Sequence, residues 1–173
     1  MHNKKKLLGL IGFLFFNKKN MSELKDIMGL PVSIGLDSTI EDAIYSMSEN
    51  EVNVLVVIDD NWVLIWTIDI VTIMKAIVPE YIWNRDMSVA SFVTEKMFEE
   101  YISDNKSKKL KYFILDTPKV INENSSILDA AIKVTEWRQT RIPVVDSENK
   151  PVWIVTRRTL KDFLSQKIKL LKK

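Results

Sequence analysis

Side chains able to do covalent or acid–base chemistry are few in this chain and poorly matched to one another. There is no cysteine and one histidine, His2. Thiol nucleophiles, thiolate metal sites and disulfides are excluded, and a histidine base or ligand would have only that terminal residue to use. Carboxylates are plentiful, but their settings read as structural. Asp59 and Asp146 fall in hairpin-turn contexts rather than forming a metal pair, and Asp42 and Asp129 fall on exposed helix faces. No nucleophile–base pair, metal-ligand cluster or phosphate loop can be assembled. The expectation is a protein that is not an enzyme and requires no cofactor.

Charge excludes a further class. The 173 residues carry a formal charge of +2, but the first 20 hold five lysines and no acid. Residues 21–173 are therefore net acidic at −3, which argues against nucleic-acid binding through the phosphate backbone. The basic tail 167–173 reads as a solvated helix end. Residues 1–20 form a leader with a basic start and an apolar run, Leu7–Phe16, too short to span a bilayer. Two readings of it stand: translation begins at Met21, or the leader is a peripheral anchor, the one route to membrane contact. No small-residue cleavage site follows it, and a cytoplasmic location is the expectation.

The elements that must position any site come from an internal repeat. Residues 26–77 align without a gap onto residues 113–164, shifted by 87 positions, with 12 identities in 52 pairs. These include Ile34/Ile121, Asp42/Asp129, Asp59/Asp146 and Thr72/Thr159. Each half reads β-α-β-β-α. Short extended pieces at 32–34 and 120–121 precede helices at 39–49 and 126–136, the first with Ser38 and Glu41 as a capping box. Apolar strands follow at 53–58 and 141–145, then at 63–68 and 152–156, and short helices close the halves at 70–77 and 159–164. Strands this apolar need cover on both faces, so the fold class is α/β, two repeats packed with pseudo-two-fold symmetry. The divisions are a leader (1–20), repeat 1 (21–78), a helical linker (79–112), repeat 2 (113–166) and the tail. In the linker, residues 87–102 read as an amphipathic helix burying Val89, Phe92, Val93 and Phe98, with a polar loop at 104–109.

A β-α-β-β-α repeat carrying Arg141-Ile142-Pro143-Val144-Val145-Asp146 and then Pro151-Val152-Trp153-Ile154-Val155-Thr156-Arg157-Arg158 resembles the cystathionine-β-synthase (CBS) domain. The segments from Asp116 to Ile121 and from Ile127 to Ala131 fit its earlier part. The resemblance covers residues 24–165, more specifically in the second half than in the first. It implies a tandem CBS pair, or Bateman module. That is a regulatory protein binding an adenosine-containing ligand (AMP, ATP or S-adenosylmethionine) in clefts between its repeats, commonly as a homodimer, and signalling to an unidentified regulated protein. The alternative is a ligand-free scaffold for dimerisation or protein interaction.

For an adenine ring, Ile34, Ile121, Ile142 and Pro143 offer an apolar slot. The family's ribose motif, Thr followed three residues later by Asp, matches Thr156 but places Thr159 where Asp is expected; the first half has Asp69 and Thr72 at these positions. A hydroxyl bonds a ribose more weakly than a carboxylate does, and the threonines have helix capping as an equal reading. Arg158 matches a frequent family arginine. It, Arg157 and Lys119 could meet a phosphate, or could simply be solvated.

Glycine is scarce: only Gly29 and Gly35 occur after residue 20. All five tryptophans stand in glycine-like contexts. Trp66 and Trp153 occupy the family's glycine position, Trp137 follows a helix end, Trp62 ends a tight turn, and Trp83 falls in a loop. A gene that reads UGA as glycine, translated with UGA as tryptophan, would give this pattern. Glycine at all five positions of the natural protein is the expectation.

Overall fold

The computed structural model describes residues 24–83, 93–113, 117–137 and 141–172. The chain folds as two compact units, one of Val32–Pro118 and one joining Lys119–Lys173 to the chain up to Pro31.

The Val32–Pro118 unit holds a three-stranded sheet. β2 (Ser33–Gly35) pairs parallel to β3 (Val54–Ile58), and β3 pairs antiparallel to β4 (Leu64–Asp69). Every residue of β3 is buried, while β4 alternates buried and half-buried positions. That is the pattern of a central strand beside an edge strand. α1 (Ile40–Glu49) and α2 (Ile70–Ile77) bury Ile40, Ala43 and Met47, and Ile73 and Ile77, in the core with Leu55, Val57 and Ile68.

α1 starts on a capping box one residue later than the serine pattern suggests. The Thr39 hydroxyl accepts from the Asp42 N–H, and the Asp42 carboxylate accepts from the Thr39 N–H and hydroxyl. Ser38 is left outside the box, its carbonyl accepting from the Leu110 N–H instead.

After α3 (Glu80–Trp83) and α4 (Glu95–Asn105), the chain returns as a strap. Leu110 is fully buried in this core, and Lys109 and Lys111 both pair with Asp37. The helix expected over 87–102 therefore begins only at Glu95, capped by Thr94, and runs on through Asn105 into the expected loop. Phe98 packs against the core, Val93 precedes the helix, and Val89 and Phe92 lie outside the described residues.

The other unit holds a four-stranded sheet in the order β1-β7-β6-β5, with strands Met28–Gly29, Pro151–Thr156, Arg141–Val145 and Ile121–Asn122. β1 pairs antiparallel with β7, Met28 opposite Val155. Leu24 and Met28 join a core formed with Ile121, Ala130, Val134, Ile142, Val144, Val155 and Leu160. The stretch expected as one repeat, 21–78, is thus divided, because its first apolar residues are buried in the unit that contains the other repeat.

α5 (Ile127–Trp137) follows Ser126, whose hydroxyl accepts from the Asp129 N–H. α6 (Arg157–Leu171) extends seven residues past the expected end at 164 and takes in most of the basic tail. Counted from β2 and from β5, each unit follows the order β-α-β-β-α. No helix of the described residues is long and apolar enough to cross a membrane.

Backbone geometry separates the tryptophans. Trp62 sits at φ 63°, in the left-handed region that favours glycine, and its counterpart Asn149 sits at φ 61°. The other tryptophans are in ordinary backbone. Trp66 is 8% exposed in a core and Trp153 is 36% exposed in β7. Trp137 is the last residue of α5 rather than a residue beyond it, and Trp83 ends α3 rather than sitting in a loop.

Candidate ligand site at the strand ends

Two loop-to-helix junctions carry the candidate residues, one in each unit. In the unit with β7, Thr156 ends the strand and caps α6. Its hydroxyl accepts from the Thr159 N–H at 3.1 Å, and the Thr159 hydroxyl accepts from the Thr156 N–H at 3.1 Å and donates to the Thr156 carbonyl at 2.9 Å. The Thr156 hydroxyl also lies 3.3 Å from that of Thr159. Both hydroxyls are therefore engaged in capping, and Thr156 keeps the larger share of unused acceptor capacity.

Arg157 and Arg158, the first two residues of α6, are exposed. Arg141 lies opposite Thr156 in the β6–β7 ladder. Sequence reasoning passes over Arg141; the signal available was the repeat alignment, where Val54 stands in its place. Lys119 precedes β5 at the same end of the sheet, with its ammonium 5.8 Å from the centroid of the Trp137 ring. Lys133 approaches that ring at the same distance and also pairs with Asp129 at 3.0 Å.

In the other unit, Asp69 caps α2. Its Oδ1 accepts from both the N–H and the hydroxyl of Thr72 at 2.8 Å. The order of the carboxylate and the threonine is thus reversed relative to the family motif, yet the two side chains are in contact. Asp69 lies opposite Val54, and Ile70 and Val71 follow it, both exposed.

The apolar residues are placed less openly than an adenine slot requires. Ile121 and Ile142 are both 0% exposed and belong to the core cluster, and Pro143 is buried beside them in β6. Ile34 is half-buried against the core of its own unit. Alternation along a strand sends Ile142 inward, and one strand cannot present Ile142 and Pro143 on the same face.

A cavity of about 380 Å³ opens at the opposite end of the three-stranded sheet, lined by residues 35–38 with Asp42, Asp59 and Asp60. Its carboxylates have structural tasks. Asp59 Oδ1 accepts from the N–H groups of Asn61 and Val63. Lys111 and Lys109 hold the Asp37 carboxyl below its ordinary range, and the Thr39 N–H does the same for Asp42. Among the described residues no group of three or more acidic or histidine side chains could hold a metal ion.

With this geometry in place, the kinship of the chain is plain. Residues 24–78 and 113–166 match the CBS domain family, and the chain belongs to that family as a tandem pair, or Bateman module. CBS pairs are regulatory modules, not catalysts. Among curated proteins, the chain is similar to the chloroplastic CBS domain-containing protein CBSX2 of Arabidopsis thaliana, 29% identical over 128 residues that cover 69% of this chain and 52% of that protein. It is also similar to CBSX1 of the same plant, 25% identical over 69% of this chain and 53% of that protein. The chain spans about half the length of these relatives.

Among solved structures, CBSX2 of Arabidopsis thaliana shares the fold with a TM-score of 0.67 at 22% identity, over 87% of this chain and 99% of that one. CBSX2 in complex with AMP matches with a TM-score of 0.60 at 24% identity, over 86% and 99%. The CBS domain pair of protein MJ0100, in complex with 5-methylthioadenosine and S-adenosyl-L-methionine, matches with a TM-score of 0.60 at 19% identity, over 83% and 99%.

Proposed function

We propose that this chain is a non-catalytic regulatory protein that binds an adenosine-containing ligand at its strand-end junctions and passes the occupancy on to a partner protein. The observation that carries the reading is the Thr156–Thr159 junction. There a short hydroxyl pair for a ribose and two arginines for a phosphate meet at one strand end. CBS pairs of the same fold are known with AMP and with S-adenosyl-L-methionine.

Thermal unfolding of the whole chain with millimolar AMP, ATP or S-adenosylmethionine tests it. A ligand that binds only the folded state contributes about 2.7 kcal/mol at a hundredfold excess over its Kd, which is a rise in Tm of several degrees. Unchanged midpoints with all three would overturn the reading.

One observation favours the second reading, a ligand-free scaffold. The Thr156 and Thr159 hydroxyls are engaged with each other and with the backbone, and no carboxylate stands at either position. That reading expects no thermal shift and a homodimer in sedimentation.

A further inference from the structure

Every basic residue at the second-repeat junction is aliphatic at the matching position of the first. Lys119, Arg141, Arg157 and Arg158 correspond to Val32, Val54, Ile70 and Val71. The register shows that these positions are equivalent in the fold, not only in the alignment. Arg141 pairs with Thr156 as Val54 pairs with Asp69, and each ladder shifts register one pair before its turn. At the capping position itself, the neutral Thr156 stands opposite a carboxylate, Asp69, whose Oδ1 is held by Thr72.

We infer, on the basis of the adenosine reading above, that the two junctions have diverged in charge selectivity: the Arg141–Arg157–Arg158 junction takes a phosphorylated adenosine ligand, and the Asp69–Ile70–Val71 junction rejects one. Arginine presents a planar fork of donors that matches phosphate oxygens two at a time, and three arginines share one end of the β6–β7 pair. The first-repeat junction offers a phosphate no cation among these positions. It places a carboxylate where the phosphate-bearing ligand would sit, and like charges brought together select against that ligand. One AMP per chain follows as the stoichiometry.

Calorimetric titration of the whole chain with AMP and with adenosine tests the inference. The expected result is one AMP per chain, bound more tightly than adenosine, with an affinity that weakens as salt rises. Arg157→Gln with Arg158→Gln should weaken AMP at least tenfold and change adenosine less than twofold. Both side chains are exposed, and the single Arg158→Gln variant repeats the test with a smaller perturbation. Two equivalent AMP sites per chain, or an AMP-to-adenosine ratio unchanged by the double substitution, would overturn the inference and leave the adenosine reading standing. Binding of neither AMP nor adenosine would overturn both.

Discussion

The hairpin turns of the two repeats can be compared bond by bond. In the first, Asp59 Oδ1 accepts from the N–H groups of Asn61 and Val63, each at 2.9 Å. In the second, Asp146 Oδ1 accepts from Glu148 and Lys150 at the same distances. The residue before the last donor is left-handed in both, Trp62 in one and Asn149 in the other. Helix starts agree as well, with Thr39 and Ser126 capping at matching positions. What differs is the chemistry presented outward: arginines in one repeat, valines and isoleucine in the other. Groups that satisfy buried or terminal backbone N–H groups have stayed in place, because losing one leaves a donor without a partner. Exposed positions carry no such penalty and have been free to diverge.

That comparison can be broken most forcefully in the cores. Leu55→Ala and Ile142→Ala truncate matched residues, both 0% exposed, and each should cost about 2–5 kcal/mol in denaturant titration. A loss under 1 kcal/mol for either one would mean that the two cores are not equivalent.

The charge difference is sharpened by a graft. Asp69→Thr with Ile70→Arg and Val71→Arg should create a second AMP site and strengthen binding there about tenfold, worth roughly 1.4 kcal/mol, read as the calorimetric stoichiometry. An unchanged stoichiometry would show that more than these three positions separates the junctions.

Cap removal comes next. Thr39→Ala and Ser126→Ala should each cost about 1 kcal/mol, and unequal losses would separate helix starts that the hydrogen bonds make alike. The turns give an effect of opposite sign. Trp62→Gly should stabilise the protein by about 1 kcal/mol by removing a left-handed side chain, whereas Asn149→Gly should change little, because asparagine tolerates that region.

The smallest effect is acid sensitivity. Asp37, paired to Lys111 and Lys109, and Asp42, held by Thr39, lie in one unit; Asp129, paired to Lys133, lies in the other. Each has a lowered folded-state pKa. Its stabilisation is full above the ordinary aspartate value of about 3.9 and is lost as pH falls from there through the lowered values. Residue-resolved hydrogen exchange on acidification should loosen the Val32–Pro118 unit first. Simultaneous loosening of both would show that these surface contacts do not distinguish the units.

The alternation of apolar runs and turn residues, doubled at a spacing of 87, determined the β-α-β-β-α order by itself. Hydrophobic period and turn chemistry are local properties, and the strand Arg141–Val145 and the helix Ile70–Ile77 fall where the residues alone put them. Asp59 and Asp146 were legible as turn residues for the same reason. Only the tertiary structure decided the rest. Cap choice between Ser38 and Thr39 depended on where the strap through Leu110 docks. Ile121 and Ile142 are apolar in sequence whether they line a slot or fill a core, and packing put them in the core. The junction's arginines could be seen residue by residue, but Arg141 joins them only through the cross-strand register with Thr156. Leu24 and Met28 entered the core of the other repeat's unit because β1 pairs with β7. A pairing between residues more than a hundred positions apart leaves no trace in local pattern; it is set by which edge strand remains to be covered once the sheet has formed.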